Sequence, residues 1–378
     1  MPPERHTILY FSSFGNVRWG GQKSLYHLAT RLDRSIYWPH VVVPSEDGLA
    51  EALRKAEVGV TILDLPPVTL QNARAMVQSL GAINRLMGRL DVRILHTDGP
   101  RNTFYAGLAA KLRRRPLVWH IRASDRDGFD RLLYGLASRV VLVARALRGR
   151  FDWAPDAGKF TVIYNGVDMR EFHPAVDSSK PLIDQMGIDG RRILIASLTR
   201  VEPSKGQIGL IEACAALRHI GVDFHIVLAG EVADESYCAH CRRRAKELGI
   251  TDRVTFVGHV EEAARFLSEV DIVAVSSVSG EAFPRTTIES MAAGKPVIVT
   301  AVGGAPEAVD DGVTGYIVAP GNIEAFRDRI IGLAKDAHLR KRMGDAARGR
   351  AEVLFSIDGN VQKTEALYGE ILGSLNRG

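Results

Sequence analysis

The sequence predicts an α/β protein built from two doubly wound parallel-sheet domains. Short apolar runs alternate with amphipathic stretches at helical spacing along the whole chain, and parallel strands need such helical crossovers. At 378 residues the chain is too long for one typical core. The alternation also restarts after a polar stretch, Asp177-Ser-Ser-Lys-Pro181, which reads as a linker.

Thr7–Phe11 reads as the first buried strand, followed by a glycine loop through Gly20-Gly21. The next helix places Leu25, Leu28, Ala29 and Leu32 at i, i+3, i+4, i+7 spacing. Strands follow at His40–Val43, Val60–Leu63, Val92–His96, Leu117–His120, Val140–Val143 and Thr161–Tyr164, with helices at Arg74–Leu90 and Thr103–Arg113. Asn165-Gly166-Val167-Asp168 then turns the chain out towards Phe172 and Pro174. The second half has strands at Arg192–Leu198, Phe224–Ala229, Val254–Val257, Asp271–Val275, Pro296–Thr300 and Gly315–Val318. Helices Ile323–Lys335 and Leu339–Leu354 cover this sheet, and a last helix spans about Ile357–Leu375.

Composition is that of an ordinary globular protein, 46% hydrophobic and 25% charged, with no apolar run long enough to span a membrane. The start, MPPERHTILYFSSFG, is too charged for a secretion signal. Cys214, Cys238 and Cys241 are too few for a disulfide framework and fit a reducing cytoplasm. Cys238-Ala-His-Cys241 has zinc-like spacing but no second half, and it sits in an Arg-rich helical stretch, so no metal is expected there. Charge is uneven. Through Glu171 there are 25 Lys/Arg and 16 Asp/Glu, net +9; the remainder has 24 and 28, net −4. A basic first half suits an anionic acceptor or peripheral contact with an anionic membrane face. No aromatic–basic motif supports nucleic-acid binding. The run Lys111–Arg115 reads as a solvated helix end.

The segment SVSGEAFPRTTIESMAAGKPVIVT carries the most chemistry. Glu281 sits in a glycine-containing loop after a buried strand. Glu289 lies in the helix that begins near Arg285 and stops at Gly294 before Pro296. A helix start at the carboxyl edge of a parallel sheet favours phosphates. Two carboxylates beside it suit two polyols, with Glu281 facing a sugar and Glu289 the vicinal hydroxyls of a ribose. Alone, such glutamates are common at helix starts, because the helix dipole favours them there.

The segment resembles the Glu-x7-Glu signature of the retaining glycosyltransferases of family 4. The match continues through Ala292-Ala293-Gly294-Lys295-Pro296-Val297, Gly303-Gly304, Pro306-Glu307 and Asp311-Gly312-Val313-Thr314-Gly315. The resemblance implies a GT-B fold: two Rossmann-like domains with a cleft between them. The first domain, residues 1–172, would bind the acceptor, with the final helix, about 356–378, packing back on it. The second, 173–355, would bind the nucleotide-sugar.

On this resemblance, Arg200 and Lys205 in Leu198-Thr-Arg-Val-Glu-Pro-Ser-Lys-Gly206 match a diphosphate clamp, although Thr199 replaces the usual Gly. The amides of Phe283, Pro284, Arg285 and Thr286 match a phosphate cradle, one donor short because proline has no N–H. Thr286 and Thr287 add hydroxyls that would contact the ligand or cap the helix. Gly20 and Gly21 match a glycine loop beside the phosphates, and Gly258-His259-Val260 the segment that holds the base. His120 matches a position near the donor sugar, with a polar rather than proton-abstracting role. His96, Asp98 and Arg122 share strand ends and are acceptor-side candidates.

The catalytic set is therefore Glu281, His120, Arg200 and Lys205. A metal-independent enzyme with no cofactor beyond its nucleotide-sugar is expected. The implied reaction is retaining transfer from a UDP-sugar, or next a GDP-sugar, to a glycolipid, lipopolysaccharide or polysaccharide hydroxyl. It would run by same-face substitution in the cytoplasm or at the inner membrane face. The alternatives are a GT-B nucleotide-sugar epimerase and a non-catalytic nucleotide-sugar-binding subunit. A nicotinamide dehydrogenase fits least, since no Gly-x-Gly-x-x-Gly follows Thr7–Phe11.

Overall fold

The computed structural model describes residues 5–16, 20–155, 158–174 and 181–375. The first four residues and most of the expected linker, Asp177–Lys180, lie outside the described residues. The chain divides into two compact units. One comprises Met1–Gly166 with Ile357–Gly378, the other Val167–Ser356. The first break thus falls earlier than Phe172, where sequence reading sets it. The final helix, Ile357–Leu375, belongs with the first unit.

The first unit holds a seven-stranded parallel sheet made of β1 (His6–Phe11), β2 (Tyr37–Val43), β3 (Gly59–Ile62), β4 (Val92–Thr97), β5 (Leu117–Ile121), β6 (Arg139–Leu142) and β7 (Phe160–Val162). Their order across the sheet is β3-β2-β1-β4-β5-β6-β7. β2 begins before Pro39, where sequence reading starts it only at His40. The reason is register. Leu63 N–H donates to Val43 O, so the odd-numbered positions of β2 face β3, and that pairing begins only at His40 with Gly59. The N–H that proline lacks is therefore not needed by a neighbour. Ile8, Tyr10, Val41, Val43, Ile94, Val118 and Val141 form one face of the core. Val361, Leu367, Tyr368 and Ile371 of the final helix close over it.

The second unit has a six-stranded parallel sheet: β8 (Ile193–Leu198), β9 (Phe224–Ala229), β10 (Val254–Gly258), β11 (Ile272–Val275), β12 (Val297–Thr300) and β13 (Gly315–Val318). The order is β10-β9-β8-β11-β12-β13. Its core packs Leu210, Ile211, Leu217, Phe326, Ile330 and Leu333 from two helices, Gln207–His219 and Ile323–Lys335, on Ile195, Ile226, Ala274 and Ile298 of the strands.

In each sheet the strand order reverses at one place, between β1 and β4 and between β8 and β11. The loops after two adjacent strands diverge there and leave a crevice at their carboxyl ends, where α/β folds bind ligands. Every catalytic residue expected from the sequence lies in or next to a loop at one of these two switch points, or one strand beyond.

Candidate functional site

In the second unit the loop after β8 carries Arg200 and Lys205, and the loop after β11 carries Glu281. The two loops are stitched together by their backbones. Val278 N–H donates to Ser204 O at 2.8 Å, and the Ser276 hydroxyl donates to Lys205 O at 2.9 Å. Gly206 makes the approach feasible. Its φ is +65°, and a Cβ there would lie 2.2 Å from Ser276 O, so no other residue fits without displacing the strand end. Gly303 does the same on the other side, where a Cβ would fall 1.8 Å from Glu281 O.

This stitching brings Lys205 Nζ to 2.6 Å from Glu281 Oε1, and the Ser277 hydroxyl donates to the same oxygen at 2.6 Å. Both side chains are nearly buried, at 13% and 10% exposure. Little solvent screens such a pair, and removing either partner strands the other charge. Two residues assigned separate ligands by sequence thus meet each other. An ammonium has three donors, so Lys205 can bind phosphate oxygens while keeping Glu281. Arg200 is more than half exposed and pairs with Glu202 at 3.1 Å, and the Ser204 hydroxyl holds that carboxylate at 2.7 Å.

The helix Arg285–Ala292 starts from Pro284, whose extended backbone provides no side-chain cap. Inside it, Arg285 reaches one turn on to Glu289, with Nε 3.0 Å and a terminal nitrogen 2.9 Å from Oε1. Sequence reading uses only the Arg285 amide and misses this pair, although i, i+4 spacing was its signal. The two threonines need correction. Thr286 donates its hydroxyl inward to Leu198 O at 2.7 Å, tying the helix start to the end of β8 instead of pointing at a ligand. Thr287 is wholly buried, and neither threonine caps the helix. The Phe283 ring packs on Phe355 at 5.5 Å between centroids, so this residue can offer a ligand only its backbone. Gly258 ends β10 and accepts from Gly230 N–H at 2.7 Å; His259 beside it is exposed and Val260 buried.

In the first unit Gly20 and Gly21 form the first turn of the helix Gly20–Arg31, not the loop expected from sequence. A Cβ on Gly21 would sit 3.8 Å from Arg122 Cδ, so the glycine pair does lie beside the β5 edge. Asp98 accepts from the Ser13 hydroxyl at 3.1 Å, and Asn102 in turn donates to Ser13. Burial raises the Asp98 pKa, opposed by the Arg122 charge and these hydrogen bonds. Arg122 donates to Asn165 Oδ1 at 3.1 Å, which gives the Asn165-Gly166 turn a direct link to the site.

His96 and His120 are almost fully buried. Burial, then the charge of Arg122, pushes the pKa of His96 down to about 3 and that of His120 well below the ordinary range. His96 needs correction as an acceptor ligand, because both of its ring nitrogens are engaged, by Tyr368 and by His120. Sequence reading also misses Arg150, whose guanidinium grips Asp130 with two bonds of 2.9 and 2.6 Å and holds Ala123 O at 3.1 Å. This fixes the loop that follows His120 and Arg122. Among the described residues no group of three or more His, Cys, Asp or Glu converges as metal ligands would. Cys238 and Cys241 are buried in the helix Glu235–Glu247.

Residues 179–350 match the family described as glycosyl transferases group 1, and residues 20–171 match glycosyltransferase family 4. The chain belongs to the family 4 glycosyltransferases. A D-inositol 3-phosphate glycosyltransferase of Mycobacterium leprae is 33% identical over 228 residues, 58% of this chain and 50% of that protein. The chain spans about half or less of the length of the curated relatives it matches. Among solved structures, a glycosyltransferase from Rickettsia africae superposes with a TM-score of 0.88 at 22% identity, over 97% of this chain and 99% of that one. Anabaena HepE, solved with UDP and glucose, gives 0.81 at 23% identity over 97% and 100%. These likenesses establish the GT-B fold for this family 4 glycosyltransferase. Among its described residues no helix is long and apolar enough to cross a membrane.

Proposed function

We propose that this chain is a retaining glycosyltransferase that moves a sugar from a nucleotide-sugar, a UDP-sugar before a GDP-sugar, to the hydroxyl of an anionic or lipid-linked glycan. The observation that carries the reading is the convergence of Lys205, Glu281 and the helix bearing Arg285 and Glu289 at the β8–β11 switch point. UDP bound to a structural neighbour supports the donor class. The name of the mycobacterial relatives adds a phosphorylated polyol to the acceptors worth testing.

In this reading Lys205 and Arg200 neutralise charge that builds on the departing diphosphate, where fixed cations contribute most. Amides at the helix start complete the cradle. Glu289 binds the ribose hydroxyls, and Glu281 a sugar hydroxyl. Glu281, held through Oε1 by Lys205 and Ser277, serves in this reading as a fixed sugar contact and not as the nucleophile. The acceptor oxygen therefore bonds to the anomeric carbon on the face from which the phosphate oxygen leaves, and that phosphate oxygen takes the acceptor's proton. No metal is required for this charge balance. The basic first half of the chain suits an acceptor presented at the cytoplasmic face of a membrane.

The test is a thermal-shift panel with UDP, GDP, ADP and TDP and their common sugars on wild type and Glu289→Ala, followed by NMR of the product anomer. Stabilisation by one nucleotide family, weakened in the variant, supports the donor site. An inverted product rules out the same-face route. Conversion of the nucleotide-sugar without any acceptor would indicate an epimerase.

A further inference from the structure

Five side chains of the first unit form one hydrogen-bonded row. Tyr10 Oη lies 2.8 Å from Tyr368 Oη, and Tyr368 Oη 2.5 Å from His96 Nδ1. His96 Nε2 is 3.1 Å from His120 Nδ1, and a terminal nitrogen of Arg122 is 3.3 Å from that same His120 atom. The last member fixes the direction of every bond. A guanidinium only donates, so His120 Nδ1 accepts and bears no proton. Burial keeps both rings neutral. A neutral ring with a bare Nδ1 carries its proton on Nε2. His96 Nε2 faces that bare nitrogen and must be the donor, which leaves His96 Nδ1 to accept from the Tyr368 hydroxyl. Tyr368 in turn accepts from Tyr10.

One atom of the row is unmatched. His120 is 2% exposed, and its Nε2 is buried without a hydrogen-bond partner among the described residues. An unsatisfied buried N–H is costly and awaits an acceptor. We infer that Tyr368, on the final helix, is a positioning residue: by donating to His96 Nδ1 it keeps His96 Nε2–H directed at His120 Nδ1, reinforcing the Nε2–H form of His120 that Arg122 selects, so that His120 offers a neutral donor to a substrate hydroxyl oxygen. In that form Nε2 has no lone pair to take a proton, which excludes His120 as the base. The inference rests on the reading of His120 as a sugar contact.

The test uses the full chain with ring-15N histidine and long-range 1H–15N NMR, the two rings being assigned from His96→Gln and His120→Gln. Wild type should show both rings protonated at Nε2. Tyr368→Phe should give His96 mixed tautomers and lower kcat about five- to tenfold, the equivalent of one hydrogen bond, with donor KM little changed. Nδ1 protonation of His120 in wild type would overturn the inference without any variant having to fold. So would a Tyr368→Phe protein with unchanged spectra and kcat. Full turnover in His120→Ala, which has no donor to replace Nε2–H, would overturn the substrate contact itself, and the spectra, which need no turnover, separate the two failures.

Discussion

The two switch points are built from opposite materials. At β8–β11 the polar groups are formal charges in pairs, Lys205 with Glu281 and Arg285 with Glu289, each side chain at most 13% exposed. At β1–β4 and the adjoining β5, the row Tyr10–Tyr368–His96–His120 is uncharged, and only Arg122 at its end bears charge. Paired charges suit an anionic ligand whose charge grows during reaction, because they need little rearrangement to meet it. Neutral donors and acceptors suit hydroxyls, where geometry rather than charge decides. The first site should respond to loss of charge, and the second to acid.

The largest break in this comparison is Lys205→Ala. It should lower kcat/KM about 100- to 1000-fold, as expected for a fixed donor lost from a developing anion. Lys205→Arg should recover part of that loss, and a steady-state change below tenfold would remove Lys205 from the diphosphate site. Gly206→Ala attacks the same site through the backbone. Left-handed φ and the clash with Ser276 O should destabilise the protein by about 1–3 kcal/mol in urea unfolding, with the Lys205 loop displaced. A variant as stable as wild type would mean that the loop stitching is loose.

Glu289→Ala should weaken UDP binding about tenfold by calorimetry and erase any preference for ribose over deoxyribose nucleotides. A retained preference places the ribose elsewhere. The neutral row sets the acid response. Its histidines bind protons more weakly in the folded than in the unfolded chain, whose histidines titrate near their ordinary value. Stability contributed by the neutral rings is therefore full above that value and falls as pH drops through it towards about 3, the pKa of folded His96. Unfolding midpoints across this window should flatten in a His96→Gln/His120→Gln double variant. The smallest effect belongs to the exposed Arg54–Glu46 pair, where Arg54→Ala should leave the melting temperature unmoved.

Much of this was legible in sequence because it is local. Phe224–Ala229, Gly315–Val318, Ile323–Lys335 and Ile357–Leu375 have the bounds that periodicity assigns them, since long apolar runs and helical spacing are complete within the segment. Gly48–Lys55 and Asp130–Leu136 were not read, being too short to show a repeat. Side-chain partners were the least visible. Lys205 and Glu281 are 76 positions apart, and His96 and Tyr368 are 272 apart. No spacing rule joins such residues; a shared switch point does for the first pair, and a returning helix for the second.

That return also bears on how the molecule is made. Translation runs from the amino end, and domains generally fold as units as they emerge. Here the later-encoded unit, Val167–Ser356, is contiguous, while the earlier one is missing Val361, Leu367, Tyr368 and Ile371 from its core until the helix Ile357–Leu375 has been added. The half that is begun first is therefore completed only after the second unit has been made, and its histidine row can form only once the helix Ile357–Leu375 has emerged.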